Sequence, residues 1–109
     1  MKCRCVDFNE REYFDDGGQA PRIPPDGPKV SVGQRIFVFC GDVGLSAIVR
    51  RSDDGFYADF LDGTRIEMTS DWYALLLSAE ESCAEIEVIN RYLLNADKKM
   101  AKVVDIRLA

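Results

Sequence analysis

The amino-acid sequence predicts an α+β protein that is mostly β: a small antiparallel β-barrel or rolled sheet, one C-terminal amphipathic helix and a terminal strand. Two observations favour this class. Short segments that alternate polar and apolar residues follow one another between positions 30 and 77, with turn sequences between them. A segment with apolar residues at helical spacing follows and extends to position 97.

We expect the 109 residues to form a single domain, 1–109. A chain of this length buries enough apolar surface to fold without a metal or disulfides. We divide it into five parts: an N-terminal strand region (1–16), a Pro/Gly-rich connection (17–29), the β-barrel core (30–77), a helix (78–97) and a C-terminal strand (103–108).

The N-terminal region and the connection carry the weakest pattern. Residues 3–8 predict a short strand, because Cys, Val and Phe suit a half-buried sheet. Residues 9–16 are read as a second short strand or a hairpin arm. All four prolines lie in 17–28, and proline has no amide hydrogen for a ladder, so we expect an irregular surface segment there. A proline-rich docking ligand is the functional alternative.

The β core is predicted from four segments. Residues 35–40 are apolar at five successive positions, as in a strand that is covered on both faces. Alternating strands are expected at 45–50, 56–60 and 64–68. Residues 52–55 predict a turn, and Asp62-Gly63 predicts a tight hairpin. Consecutive strands of this length are expected to curl into a small barrel.

The helix is predicted at 79–97. Ser78 and Glu81 have the spacing of a capping box, and Ile86, Ile89 and Leu93 form one apolar stripe. Residues 70–77 fit a final strand, a helical turn or the start of this helix. The segment 103–108 predicts a strand that pairs with a sheet edge, for which the N-terminal strand is a candidate.

Charge limits the partners. The net charge of −5 disfavours binding to nucleic acid. Ten acidic residues and one basic residue lie between Asp53 and Glu87, a net charge of −9 that leaves +4 for the rest of the chain. Such a segment either attracts a basic partner or serves solubility. With no apolar run long enough for a bilayer and no signal-peptide pattern, we expect no membrane partner and a cytoplasmic protein.

Catalytic chemistry is poorly supported. The sequence contains no histidine, the usual general base and the commonest metal ligand. Cys3 and Cys5 have the spacing of two residues on one face of a strand, where core packing competes with metal binding. We therefore predict no catalytic residue, no metal, no cofactor and no enzymatic activity.

Residues 33–77 resemble an SH3-like barrel of the Tudor type. The resemblance rests on Val32-Gly33, Ala47-Ile48-Val49, Gly55-Phe56-Tyr57-Ala58, Phe60-Leu61-Asp62-Gly63 and Ser70-Asp71-Trp72. It implies a five-stranded barrel that reads methylated side chains, proline-rich peptides or nucleic acid, or that serves as a structural module. The sequence shows no full aromatic cage.

These observations predict a non-catalytic module that binds a protein or peptide partner. A second copy of the chain, in a homodimer, is one such partner. Aromatic residues at the barrel rim and the acidic face are expected to make the contact: Tyr57, Asp59, Phe60, Asp62, Trp72 and Tyr73. The alternative is a small acidic inhibitor or immunity-type protein that occupies a basic site on an enzyme. A third class is an enzyme or small-molecule binder with a pocket that the sequence does not reveal.

Overall fold

The structure, a computed structural model, describes residues 1–14, 16–94 and 100–109, with side-chain surroundings for 1–14, 16–90 and 104–109. The described chain is mostly β with one helix, as predicted. Its elements are β1 (Lys2–Cys5), β2 (Arg11–Tyr13), β3 (Gln19–Pro21), β4 (Arg35–Cys40), β5 (Val43–Ser52), β6 (Gly55–Phe60), β7 (Ile66–Glu67), α1 (Ser70–Glu81), β8 (Ile86–Leu94) and β9 (Met100–Leu108).

A central sheet with the order β1-β4-β5-β6 organises the molecule. The strands β4, β5 and β6 form an antiparallel meander, and two-residue turns at Gly41-Asp42 and Asp53-Asp54 join them. β1 lies parallel to β4 on the other side, with Cys3 opposite Phe37. The predicted strands at 35–40, 45–50 and 56–60 are therefore confirmed.

The sheet is open, so the predicted closed barrel is not what the described residues form. β7 pairs with the start of β5, beyond the point where β6 ends. The Asp62-Gly63 turn thus joins two strands that both pair with β5, and the predicted hairpin between them is wrong. The β1 edge is instead covered by α1, whose Glu80 carboxylate accepts a hydrogen bond from the Cys5 amide at 2.6 Å. A covered edge has no further strand to pair with.

The helix predicted at 79–97 is also wrong. The helix α1 begins after Thr69, whose hydroxyl oxygen accepts a hydrogen bond from the Trp72 amide at 3.3 Å, and it ends at Glu81. The segment 70–77, left open in the sequence, is thus the helix itself. Residues 86–94 form β8, and residues 95–97 lie outside the described residues.

Two features explain why residues 86–94 form a strand and not a helix: the backbone conformation of Cys83 and the branched side chains that follow it. Cys83 adopts a φ of 54°, a left-handed conformation that cannot continue a helix. Beyond it, the branched residues Ile86, Val88 and Ile89 favour a strand over a helix. The same apolar residues satisfy a helical stripe and a strand alternation, and strand pairing with β9 selects the second.

The C-terminal strand predicted at 103–108 exists as part of β9, but it pairs with β8 and not with the N-terminal strand. We call the β8–β9 pair the C-terminal ribbon. Its base joins the central sheet through Ile86, whose amide donates to the Met1 carbonyl at 2.8 Å.

Two covers bury the two faces of the central sheet. The helix face carries Phe37 and Phe39 beneath α1 and the base of the ribbon. The loop face carries Ile36, Val38 and Ala58 beneath the segment 6–30. Residues 36–39 are all fully buried, which confirms the expectation of a strand covered on both sides.

The short antiparallel pair β2–β3 lies inside segment 6–30 and closes over one end of the sheet. The second short strand expected in 9–16 is therefore confirmed, while β3 adds a strand to the connection predicted to be irregular. No helix among the described residues has the length and apolar character needed to cross a membrane.

Candidate functional site

The six predicted contact residues do not form one surface. Tyr57 is only 1% exposed, and its ring meets Phe14 edge-on with centroids 5.3 Å apart. Its hydroxyl donates to Asp54 Oδ1 at 2.7 Å, and this hydrogen bond is the main cause that raises the pKa of Tyr57 to about 12. The polar atom that suggested a rim position is satisfied inside the protein, so Tyr57 belongs to the interior.

Asp59, Phe60 and Asp62 lie on or just after β6. Phe60 is half-buried on the loop face and meets Phe8 edge-on, with centroids 5.1 Å apart. The Asp59 carboxylate lies 3.9 Å from the Arg50 guanidinium, and Asp62 is exposed in the turn. These three residues are accessible in part, but Phe60 mainly contributes to packing.

Trp72 and Tyr73 lie on the first turn of α1, on the opposite face of the sheet from Phe60. Both are half-buried, and Tyr73 meets Phe39 edge-on with centroids 5.7 Å apart. A small cavity of about 220 Å³ lies beside this turn. Its lining residues are Gly41, Asp42, Met68, Thr69, Ser70 and Tyr73.

The acidic segment is largely exposed. Three of its ten carboxylates approach a described basic side chain: Glu80 pairs with Arg4 at 3.0 Å, Glu85 with Lys2 at 3.3 Å, and Asp59 with Arg50 at 3.9 Å. The other seven are exposed and form no ion pair with a described residue: Asp53, Asp54, Asp62, Glu67, Asp71, Glu81 and Glu87. Exposed carboxylates attract basic surfaces over several ångströms.

The N-terminal thiols behave as apolar packing groups. Cys3 is buried, its Sγ donates to the Leu76 carbonyl at 3.4 Å, and burial raises its pKa to about 12. Burial also raises the pKa of the Cys5 thiol. A protonated thiol is a poor metal ligand and a poor nucleophile. Within the described residues, no three His, Cys, Asp or Glu side chains gather as a metal site would require.

Arg4 is a buried charged residue whose role the sequence pattern did not indicate. It is 3% exposed, and its Nε donates to Glu80 Oε2 at 3.0 Å. Its Nη2 donates to the Pro24 carbonyl at 2.8 Å and to the Asp26 carbonyl at 2.7 Å, and its Nη1 donates to the Pro28 carbonyl. One guanidinium thus joins β1, α1 and the proline-rich segment.

A cavity of about 420 Å³ opens beside Arg4, within the usual range of small-molecule sites. Apolar side chains of the proline-rich segment and of β6 form most of its wall, and three basic residues and one acidic residue also border it. The lining residues are Arg4, Arg22, Ile23, Pro24, Pro25, Pro28, Lys29, Val30, Asp54, Gly55 and Phe56. In the sequence, only the four prolines and their basic neighbours indicate this cavity.

The C-terminal ribbon is the second feature that the sequence did not reveal. Its strands hold nine residues each, which makes the ribbon about 30 Å long at roughly 3.3 Å per residue. Among the described strands, β8 and β9 pair only with each other. The side chains that reach the core come from the base, where Ile86 and Ile106 are buried and Val88 and Val104 are half-buried.

Ile86 fixes which backbone groups of the ribbon face outward. It exchanges two hydrogen bonds with Met1, at 2.8 and 2.7 Å, so its amide and carbonyl point away from β9. Backbone direction alternates along an antiparallel ladder, so the amides of Val88 and Asn90 also point outward.

Comparison with protein-family models, curated proteins and solved structures finds no match to this chain.

Proposed function

We propose that this protein is a non-catalytic module that binds another protein. The observation that carries the proposal is the C-terminal ribbon, whose outer edges pair with no other described strand. A two-stranded ribbon is marginally stable alone in water, and an open edge is a template for a further strand. A partner that adds a strand to β8 would satisfy its outward amides and carbonyls.

The charge of the surface gives the character of this partner. Glu81 is the last residue of α1 and Glu87 is the second residue of β8, and both carboxylates are exposed. A basic segment that pairs along β8 would approach them. This preserves the acidic face of the sequence-based hypothesis and moves the contact from the barrel rim to the ribbon base.

The non-catalytic part of the proposal is supported by the sequence and by thiol chemistry. The chain has no histidine, and burial keeps Cys3 protonated at neutral pH. All four cysteines are free thiols, which suits the reducing cytoplasm, the compartment we propose. The likeness of residues 33–77 to an SH3-like barrel of the Tudor type stays a prediction.

A single substitution tests strand addition. Asn90 is exposed, and its amide faces away from β9, so Asn90→Pro blocks the outer edge of β8 and leaves the ladder with β9 intact. Asn90→Ala removes the same side chain and keeps the amide, which makes it the matched control. We expect Asn90→Pro to lower partner capture by about tenfold or more, the loss expected when hydrogen bonds worth roughly 1.4 kcal/mol disappear.

The measurement is quantitative capture from native lysate by immobilised wild-type and variant proteins, followed by hydrogen exchange on the purified complex. In the complex, the amides of Val88 and Asn90 should exchange more slowly. Equal capture by both variants, or unchanged exchange at these amides, would refute strand addition. If the partner is a second copy, light scattering should report a dimer for Asn90→Ala and a monomer for Asn90→Pro.

The inhibitor hypothesis shares the acidic surface and differs in the partner. It requires that the captured protein be an enzyme whose activity falls when the complex forms. Its affinity should weaken steeply as NaCl rises, since exposed charges are screened within about 10 Å at 0.1 M salt. Full activity of the partner in the complex would exclude it.

A further inference from the structure

The cavity beside Arg4 has a prebuilt wall. The carbonyls of Pro24, Asp26 and Pro28 all accept hydrogen bonds from the Arg4 guanidinium. Prolines restrict the backbone of this wall further, because each fixes its own φ. A wall that is already ordered loses little entropy when a ligand binds.

The interior of the cavity is apolar, and much of its rim is cationic. Ile23, Val30 and Phe56 belong to the core cluster of the loop face, and each presents part of its surface to the cavity. Arg22 and Lys29 are exposed at the same cavity and form no ion pair with a described residue. These two cations carry a charge opposite in sign to the net charge of the protein, which is −5.

Arg4 and Asp54 are the other charged residues that border the cavity, and the exposed Asp54 carboxylate keeps its negative charge, so Arg22, Lys29 and Asp54 together leave the rim with a net positive charge. Arg4 pairs with Glu80 at 3.0 Å, so it contributes little net charge. The Asp54 carboxylate accepts the Tyr57 hydroxyl at 2.7 Å, and the Asp54 carbonyl accepts Arg22 Nη2 at 2.8 Å. Arg22 is thus held over the β5–β6 turn with several N–H groups still available, because a guanidinium carries five.

We propose that this cavity binds a small carboxylate with an apolar body, such as an aliphatic or aryl acid. The apolar body would occupy the space between the proline-rich wall and Phe56. Its carboxylate would pair with the Arg22 guanidinium and the Lys29 ammonium, which favour an anion over a neutral or cationic head group. This site is separate from the C-terminal ribbon and does not depend on the proposed protein partner.

The test uses three probes with the same chain and different head groups: octanoate, 1-octanol and octylamine. Binding is measured by calorimetry and located by amide chemical shifts. We expect octanoate to bind about tenfold more tightly than octanol or better, because the hydrogen bonds of a carboxylate with Arg22 and Lys29 are charge-assisted and stronger than those of a hydroxyl. The shifts should centre on Ile23, Val30 and Phe56.

Two double variants separate the effect of the cavity's positive charges on binding from an effect on folding. Arg22→Met/Lys29→Met keeps the apolar stems, removes both cations and should cut octanoate affinity by about tenfold or more while octanol binding stays the same. Arg35→Met/Arg65→Met removes two exposed cations outside the cavity and is the matched control. The single variant Lys29→Met, which breaks no described hydrogen bond, serves if the double variant is unstable.

Several results would overturn the proposal. Equal affinity for octanoate and octanol would show that the cations do not select the ligand, and tighter binding of octylamine would reverse the expected sign. Shifts centred away from the cavity would place the ligand elsewhere. A fourth probe, an acetylated tetrapeptide with a C-terminal phenylalanine carboxylate, distinguishes a peptide end from a free acid, and tighter binding of the peptide than of octanoate would overturn the small-molecule assignment.

Discussion

The two faces of the central sheet are buried by covers of different construction. On the helix face, α1 contributes Leu76 and Ala79, which pack on Phe37 and Phe39. On the loop face, the segment 6–30 lies over the sheet with little regular structure. Both covers bury apolar side chains completely. Only the helix, however, forms hydrogen bonds between most of its own backbone amides and carbonyls.

The difference lies in where backbone hydrogen bonds go. A helix pairs its amides and carbonyls internally, whereas prolines supply carbonyls and no amides. A buried carbonyl without a donor is costly, so the proline-rich cover requires donors from elsewhere. Arg4 has donors and no acceptor, and it supplies them to three carbonyls of this cover. The loop face therefore depends on one side chain to a degree that the helix face does not.

The largest expected effect comes from Arg4→Met. The substitution keeps an apolar stem and removes the guanidinium, which leaves Glu80 without its cation and three carbonyls without this donor. We expect the free energy of unfolding to fall by about 3–5 kcal/mol, the range for breaking a buried ion pair. Urea unfolding measures it, and Arg51→Met, at an exposed position, is the control. A loss as small as the control's would show that the loop face holds without Arg4.

The matching substitution on the helix face is Leu76→Ala. Leu76 is fully buried, so its truncation should lower the free energy of unfolding by about 3 kcal/mol, within the usual range for buried leucine. Its neighbour Leu77 is 39% exposed, and Leu77→Ala should have a clearly smaller effect. If Leu76→Ala also released the proline-rich segment, seen as faster amide exchange there, the two covers would not be independent.

The contrast between the covers also explains what the sequence predicted. The strand 35–40 was predicted because residues buried on both faces form a continuous apolar run. The alternation of β5 and β6 was predictable because residues next to each other face opposite sides of the sheet. These patterns are local, and tight turns at Gly41-Asp42 and Asp53-Asp54 are local as well.

The strand at 86–94 and the burial of Arg4 were not predictable, each for its own reason. Residues 86–94 fit two periodicities, and only pairing with the next strand, β9, decides between them. Arg4 lies on the opposite side of β1 from Cys3 and Cys5, a position that alternation assigns to solvent. Burial of Arg4 arises from carbonyls about twenty residues away, which no local pattern encodes.

A smaller effect is expected at Gly27, which adopts a φ of 103° beside the Arg4 guanidinium. A Cβ at this position would lie 3.1 Å from Arg4 Nη2, whereas a Cβ at Gly33, with a φ of 83°, would meet nothing within 4 Å. Both Gly→Ala variants carry backbone strain of about 1–2 kcal/mol. Only Gly27→Ala should add a further loss, measured as the difference between the two midpoints in urea. Equal losses would show that Arg4 adjusts freely.

The smallest effect at neutral pH is expected from Tyr57→Phe, beneath the β2–β3 part of the loop cover. Loss of the hydrogen bond to Asp54 should cost about 1 kcal/mol. The folded pKa of Tyr57 is raised from 10.0 to about 12, so its stabilising contribution is complete below pH 10 and disappears as the pH rises towards 12.

Cys3, on the helix face, adds a second alkaline contribution. Its pKa is raised from 9.0 to about 12, so its contribution begins to fall above pH 9. Urea unfolding between pH 8 and pH 12 should show a decline that Tyr57→Phe reduces above pH 10 and leaves unchanged between pH 9 and pH 10. Tyr13→Phe, at a position that is 80% exposed, should follow the wild type throughout. Identical curves for all three proteins would contradict the raised pKa and would mean that solvent reaches the Tyr57 hydroxyl in the folded protein.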